Sequence, residues 1–315
     1  MPSTLPSADA SSAPIPAFVN PASGSAAAAL DALRADARFA VHETAPEGLA
    51  DAVRAAVAGG ARRVLVAGGD GTVAVAAAVA AETGIELAVL PGGTLNHFAR
   101  DLGLPTDDLA ACVEVAAGGV ARGADLGWVN GRPILNTSSI GVYVSFVRAR
   151  ERLERWLGYG VASAVAAVRV WLGVRGFRAH VVADPDGPGG APPRRYRTSL
   201  VFVGVDEREL GRDGPGARTP GGRRALHLLV VRETRRARLA AFAWSALVRG
   251  LDTAARSDAF DALLVDACTV ELRRPWGRVA IDGELVRMKA PLRYTIARDA
   301  FTVVAPHPAD DARTA

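Results

Sequence analysis

Arg63-Val64-Leu65-Val66-Ala67-Gly68-Gly69-Asp70-Gly71-Thr72 is the stretch on which the fold turns. An apolar run of strand length ends in three glycines around an aspartate, and a threonine follows where a helix would open. Working outward, the same alternation recurs on both sides. Ile15 to Val19, Arg38 to His42 and Glu86 to Leu90 read as strands. Ala26 to Asp36, Glu47 to Ala58 and Thr72 to about Ala81 read as the helices between them. Short apolar runs alternating with helical segments predict a parallel sheet, because parallel neighbours need a crossover connection. In such sheets ligands bind beyond the carboxyl ends of strands, so the loops at Asn20, Gly68 and Pro91 are expected to face one crevice.

After about Asp125 the texture changes. Pro133 to Asn136, Ala179 to Ala183, Ser199 to Val205, Leu226 to Val231, Ala267 to Leu272 and Arg278 to Asp282 are short and β-like. Gly/Pro-rich loops, Asp184 to Pro193 and Gly211 to Gly222, separate several of them. Helices are predicted at Trp156 to Gly173 and Arg235 to Arg249. The expected division is a tail over 1–14, an α/β domain over 15–124, a mostly antiparallel β domain over 125–296, and a tail over 307–315. Residues 297–306, ending in the strand-like Ala300 to Ala305, could complete the first domain.

The chain has 315 residues, and this length favours two domains. Half of them are hydrophobic and 22% charged, which suits packed cores and excludes a disordered chain. The net charge is +4 and the pI about 9.6. Lys289 is the only lysine and does not follow a glycine-rich loop, which excludes a P-loop nucleotide binder. Cys112 and Cys268 are far apart in apolar contexts and suit neither a zinc site nor a disulfide framework, so a reducing cytoplasm is expected. Aromatic residues are scarce (6%) and not interleaved with basic ones, so no nucleic-acid partner is expected. The Ser/Pro/Ala-rich start lacks the charge and apolar run of a signal peptide. Trp156 to Gly173 carries Arg169 and many small residues, so a packed helix is expected there and not a membrane span, with surface contact to lipid as the lesser alternative.

Three places carry candidate chemistry. Gly68 to Val73 combines backbone that can approach a phosphate with a helix start. Asp70 in its midst would be repelled by phosphates unless a cation intervenes or it acts as a base. Pro91-Gly92-Gly93-Thr94-Leu95-Asn96-His97-Phe98 repeats the arrangement one strand later; helix capping would account for Thr94 but not for Asn96. Ile281-Asp282-Gly283-Glu284 places two carboxylates around a glycine, suited to proton or metal work, although Asp-Gly is also an ordinary hairpin turn. The chain has only four asparagines. Asn130 reads as a hairpin turn, while Asn20, Asn96 and Asn136 stand at strand ends and loops where polar groups can converge; turn chemistry alone remains open for Asn20, which precedes proline.

Together FVNPASG (Phe18 to Gly24), VAGGDGT (Val66 to Thr72), LPGGTLNHFARDLGLP (Leu90 to Pro105), NTSSIGVY (Asn136 to Tyr143) and IDGE (Ile281 to Glu284) resemble the diacylglycerol kinase catalytic-domain family, which includes bacterial lipid kinases and is related to sphingosine and ceramide kinases. The resemblance implies the NAD kinase/diacylglycerol kinase-like architecture: an α/β ATP-binding domain, a β-rich lipid-substrate domain and a cleft between them. Carried over, it implies that Asn20, Pro21, Ala22, Ser23 and Gly24, together with Gly68, Gly69, Asp70, Gly71, Thr72 and Val73, line the ATP phosphates. Thr44, Thr94 and Asn96 would add contacts to the nucleotide. Glu284 would take the proton from a lipid hydroxyl, with Asp282 beside it and Asp70 and Asp282 linked to the catalytic Mg2+. The implied reaction is ATP-dependent phosphorylation of a lipid, diacylglycerol to phosphatidic acid first of all, by a cytoplasmic protein in peripheral contact with the inner membrane surface. A soluble-substrate kinase such as an NAD kinase, and an inactive lipid- or nucleotide-binding protein, are the alternatives. Many bacterial members hold an auxiliary structural magnesium with an aspartate where this chain has His227, so that site is not expected here. Oligomeric state is left open, a homodimer included.

Overall fold

The computed structural model describes residues 13–93, 96–141, 176–184, 193–211, 214–232 and 260–307. The helices expected at Trp156 to Gly173 and Arg235 to Arg249 lie outside these residues, as do Thr94, most of the Asp184 to Pro193 loop and most of both tails. No helix among the described residues is long and apolar enough to cross a membrane.

The first half is the expected α/β alternation. β1 (Ile15–Val19), α1 (Ala26–Arg34), β2 (Phe39–Glu43), α2 (Pro46–Ala58), β3 (Arg63–Gly68), α3 (Asp70–Thr83) and β4 (Glu86–Pro91) follow one another, with the strands parallel in the order β2-β1-β3-β4. α3 is Ala/Val-rich on every side, and seven of its residues, from Thr72 to Ala80, are buried, so it packs into the core with no water-facing stripe. Gly84 ends it in the left-handed conformation (φ 74°), its N–H bonded to Ala80 O. α4 (His97–Asp101) and α5 (Leu109–Gly118) complete the layer; the Asp108 carboxylate caps α5 through Ala111 N (3.0 Å).

The remainder is antiparallel β. Its strands are β5 (Val120–Val129), β6 (Arg132–Ile134), β7 (Thr137–Gly141), β8 (Phe177–Ala183), β9 (Arg194–Thr198), β10 (Leu200–Val205), β11 (Arg208–Gly211), β12 (Gly214–Arg218), β13 (Leu226–Val231), β14 (Phe260–Val265), β15 (Ala267–Leu272), β16 (Trp276–Ile281), β17 (Glu284–Lys289) and β18 (Leu292–Ala305). Six of them form one sheet in the order β14-β13-β10-β7-β16-β17. The stretch from Gly211 to Gly222, expected as a loop, carries the β11–β12 ribbon over part of its length.

β18 joins the two halves. Its last residues pair in parallel with β4, its body pairs antiparallel with β5, and its start pairs with β15. The first sheet therefore runs on as β2-β1-β3-β4-β18-β15-β8-β9. Two apolar cores lie along it. One gathers Phe18, Leu65, Val89, Phe98, Leu126 and Phe301; the other Ile140, Val203, Leu228, Val270, Val279 and Tyr294.

Between the cores runs an ion network that the sequence reading did not foresee. Arg208 and Asp101 pair at 2.9 Å with side chains only 2% and 3% exposed. Arg218 reaches Asp101 at 3.4 Å and Asp206 at 3.0 Å, and stacks over Phe98 at 5.5 Å from the ring centroid. Arg224 pairs with Asp125 and with Asp299 (2.7 Å). The Arg208 and Arg218 contacts fasten the β11–β12 ribbon to the end of α4, and Arg224 ties its loop to β5 and β18.

Candidate active site

Three loops at the carboxyl ends of β1, β3 and β4 converge. Gly92 N donates to Gly68 O (2.9 Å), Asn20 N donates to Ala67 O (3.0 Å), and Ser25 Oγ donates to Pro91 O (3.3 Å). The glycines allow this. A Cβ on Gly92 would stand 2.9 Å from the Gly68 Cα, and one on Gly93 would stand 2.8 Å from the Gly69 Cα. At these positions the residue type answers to backbone packing against backbone, before any ligand is considered.

Asparagine does the fine fastening. Asn20 Oδ1 accepts from Ala22 N (3.0 Å), an Asx turn that shapes the exposed loop of Pro21, Ala22, Ser23 and Gly24; its Nδ2 donates to Thr72 Oγ1 (3.1 Å) across to α3. Turn chemistry was thus half of the answer for Asn20. Asn96, in the left-handed conformation (φ 48°), grips Gly93 from both sides: its Oδ1 accepts from Gly93 N and its Nδ2 donates to Gly93 O, each at 2.8 Å. Asn96 therefore shapes the loop from within.

Asp70 opens α3, and its two carboxylate oxygens accept from His97 N and Phe98 N, each at 3.1 Å. It thereby holds the start of α4, and each oxygen keeps lone-pair capacity towards the crevice. Val73 is buried in the core with its N–H bonded to Gly69 O, which leaves it no free donor for a phosphate. Thr44 stands half-buried just past β2 with its N–H on Val19 O (2.9 Å).

The second side of the crevice is the β16–β17 turn. Asp282 (φ 45°) and Gly283 (φ 88°) link the paired Ile281 and Glu284, a two-residue hairpin connection with both residues left-handed. That conformation aims the Asp282 carboxylate back at the chain. It accepts from Leu135 N (2.7 Å), Asn136 N (2.8 Å) and Thr137 N (2.8 Å). Glu284 points the other way. Its Oε2 accepts from Arg132 Nη2 (3.0 Å), and its Oε1 lies so close to α3 that a Cβ on Gly71 would be 2.5 Å from it. The glycine loop after β3 and the acid after β16 therefore share one crevice, although more than two hundred residues separate them.

Residues 14–129 match the diacylglycerol kinase catalytic domain. That part of the chain is similar to diacylglycerol kinases. A diacylglycerol kinase of Mycobacterium tuberculosis is 39% identical over 106 residues, covering 32% of this chain and 34% of that one. A diacylglycerol kinase of Bacillus subtilis is 39% identical over 80 residues, 25% and 26% of the two chains. The protein of Pseudomonas syringae pv. tomato named "Probable lipid kinase YegS-like" is 42% identical over 160 residues, 49% and 48%. The matched stretches thus span about a quarter to a half of these relatives. The fold extends further than the sequence match. The crystal structure of a diacylglycerol kinase from Bacillus anthracis superposes with a TM-score of 0.65 at 19% identity, covering 96% of this chain and 99% of that one. A second structure from the same organism gives 0.71 at 22%, covering 98% and 99%.

In this diacylglycerol kinase fold, no three His, Cys, Asp or Glu side chains among the described residues converge into a preformed metal site. A magnesium ion usually shares its coordination with nucleotide phosphates, and Asp70 would offer it oxygen here. His227 serves as an acceptor: its Nδ1 takes the Arg208 N–H (3.1 Å), and burial lowers its pKa. Arg132, Arg208 and Arg218 were not singled out in the sequence, because each gains its role from partners distant in the chain.

Burial pushes the Asp282 carboxyl up to about 6, reinforced by the charge of Asp70 and opposed by its three N–H donors. A folded pKa above the ordinary carboxyl value of 3.8 means that the folded state binds more protons between these values. Asp282 by itself thus favours folding most below pH 4, and this contribution is lost as pH rises through 6. In the 15N-labelled chain, the Leu135, Asn136 and Thr137 amide shifts are expected to titrate together with a midpoint of about 6. Asp282→Asn should abolish the transition. Amides that stay flat between pH 4 and 8 would contradict it.

Proposed function

We propose that the chain is a kinase that transfers the γ-phosphate of ATP to a lipid hydroxyl, with diacylglycerol the first candidate and phosphatidic acid the product. The observation that carries the reading is the confrontation of Glu284 with Gly71. A carboxylate with an oxygen turned to the crevice stands against the start of α3, where backbone N–H groups and the helix dipole favour a phosphate. The family of residues 14–129 supports ATP as the phosphate donor.

The chain's own residues divide the work. The loops at Asn20 to Gly24, Gly68 to Thr72 and Gly92 to Asn96 cradle the triphosphate, with the asparagines fixing loop shape. Asp70 would hold Mg2+ on the protein side, and ATP bound with it would supply an activated phosphoryl group whose negative charge is partly neutralised. Glu284 accepts the proton of the attacking hydroxyl, and Arg132 orients its carboxylate. Asp282 positions the Leu135 to Thr137 segment that forms the floor. Alignment of hydroxyl and phosphorus within the cleft contributes the larger part of the rate, as in phosphoryl transfer generally.

The test is transfer from radiolabelled ATP to a panel of membrane lipids, with NAD as the soluble comparison. Labelled product from diacylglycerol in mixed micelles is the expected result. Label in NADP alone would favour a soluble-substrate kinase. ATP binding with no transfer to any acceptor would favour a binding protein.

A further inference from the structure

Among the described residues Trp276 is the one large hydrophobic side chain standing exposed, at 48%. It begins β16, at the open end of the β16–β17 hairpin and opposite the Asp282–Gly283 turn. Alternation puts Trp276 and Arg278 on the outer face of β16, while Val279 points into the core. Across the ladder Trp276 pairs with Lys289 and Arg278 with Arg287, on either side of the buried Met288. The Arg287 guanidinium stacks over the indole at 5.0 Å from the centroid. Arg273 and Arg274 precede the hairpin, both exposed.

Arg278 opposite Arg287 is a like-charge pair, which an isolated sheet disfavours. Among the described residues no carboxylate lies within salt-bridge distance of Arg273, Arg274, Arg278, Arg287 or Lys289, although acids elsewhere pair freely with arginine. A basin of about 610 Å3 lies between Arg274, Trp276, Arg278 and Arg287. On the neighbouring sheet, Arg178 pairs with Arg197, and Arg273 lines the cavity that they share, in which Glu271, partnered by His180, is outnumbered by arginine.

We infer that this end of the β domain is a docking surface for an anionic phospholipid bilayer. Trp276 would seat at the headgroup level, and the arginines and Lys289 would meet lipid phosphates. An indole with one polar edge suits that depth, and guanidinium groups match phosphate oxygens in pairs. A stacking platform for nucleic acid would need several open aromatic faces, and here one indole is already covered by Arg287 on one side. The surface is a tether and not the entrance of the substrate. Glu284 stands at the other end of the hairpin, about 17 Å away along five residue steps of extended chain. The inference rests on the lipid-kinase reading for its purpose but not for its test.

The test is co-sedimentation of the full chain with phosphatidylcholine vesicles, with and without phosphatidylglycerol. Binding only to the anionic vesicles, lost on raising salt towards 1 M, is expected. Each cation at such a surface strengthens binding about fivefold, so Arg278→Glu with Arg287→Glu should weaken it at least tenfold. Trp276→Ala should weaken binding to a lesser degree. Arg278→Gln with Arg287→Gln guards against misfolding and should show an intermediate loss with an unchanged melting temperature. Wild-type chain that ignores anionic vesicles, variants that bind as well as wild type, or single-stranded RNA that displaces the vesicles would each overturn the inference. Transfer measured in detergent micelles needs no tether and should be unchanged in these variants. Absence of transfer from the wild type there would sink the kinase reading alone.

Discussion

Glu284→Gln is expected to slow phosphate transfer by about 10²–10⁴-fold, the usual worth of a positioned general base. The amide keeps the size of the side chain against Gly71 and retains an oxygen for Arg132, so ATP affinity and the unfolding midpoint should not move. Single-turnover transfer at saturating ATP is the measurement. Asp282→Asn provides the contrast, because three backbone donors depend on that carboxylate. Its loss should disturb the Leu135 to Thr137 segment as well as the rate. A Glu284→Gln chain that transfers within a few-fold of wild type would move the base elsewhere in the crevice.

The second large effect concerns stability. Arg208→Ala should cost about 3–5 kcal/mol in urea unfolding, the range for breaking a buried ion pair from one side. Its guanidinium also donates to Val205 O (3.1 Å) and Asn136 O (3.3 Å), so truncation takes a donor from each, leaves Asn136 O with the Val205 N–H, and leaves Asp101 with Arg218 alone. Arg208→Lys should restore only part, because an ammonium cannot reproduce the planar fork. Arg54, exposed and paired with Glu82 at 2.9 Å, is the control: Arg54→Ala should leave the midpoint unchanged within error. Similar losses for both variants would show that burial of the Arg208 pair carries no special weight.

What could be read from the sequence follows from where each signal resides. β3 and β4 are apolar runs closed by glycines, and the parallel sheet was legible from them. The short runs of β8, β10, β13 and β15 likewise announced the antiparallel half. β9 escaped because Arg194 to Thr198 has no apolar alternation; its edge strand keeps arginine heads in water. β5 escaped because Arg122 and Gly123 interrupt its first half, which finds its partner only in β18. In the sequence Asp282–Gly283 reads as a hairpin turn or an acidic site, and in the structure one turn makes the hairpin and aims the carboxylate. Asn96 and Asp70 were legible as polar residues in glycine loops. That one grips its own loop and the other holds α4 depends on geometry that residue spacing does not express. The Arg208–Asp101–Arg218 network was invisible for the same reason, since its members lie more than a hundred residues apart.

α4 is held at its beginning by Asp70 and at its end by Asp101, whose arginine partners come from the β11–β12 ribbon. The cradle proposed for the nucleotide is thus completed by residues translated after it. A ribosome-bound chain that has emerged only as far as β5 would carry the glycine loops yet lack the clamp on α4 and the β18 edge that closes the sheet. On the proposed function, competence to receive a nucleotide should therefore arise only once β18 has been made, and a chain released before then would leave no wandering phosphotransferase behind.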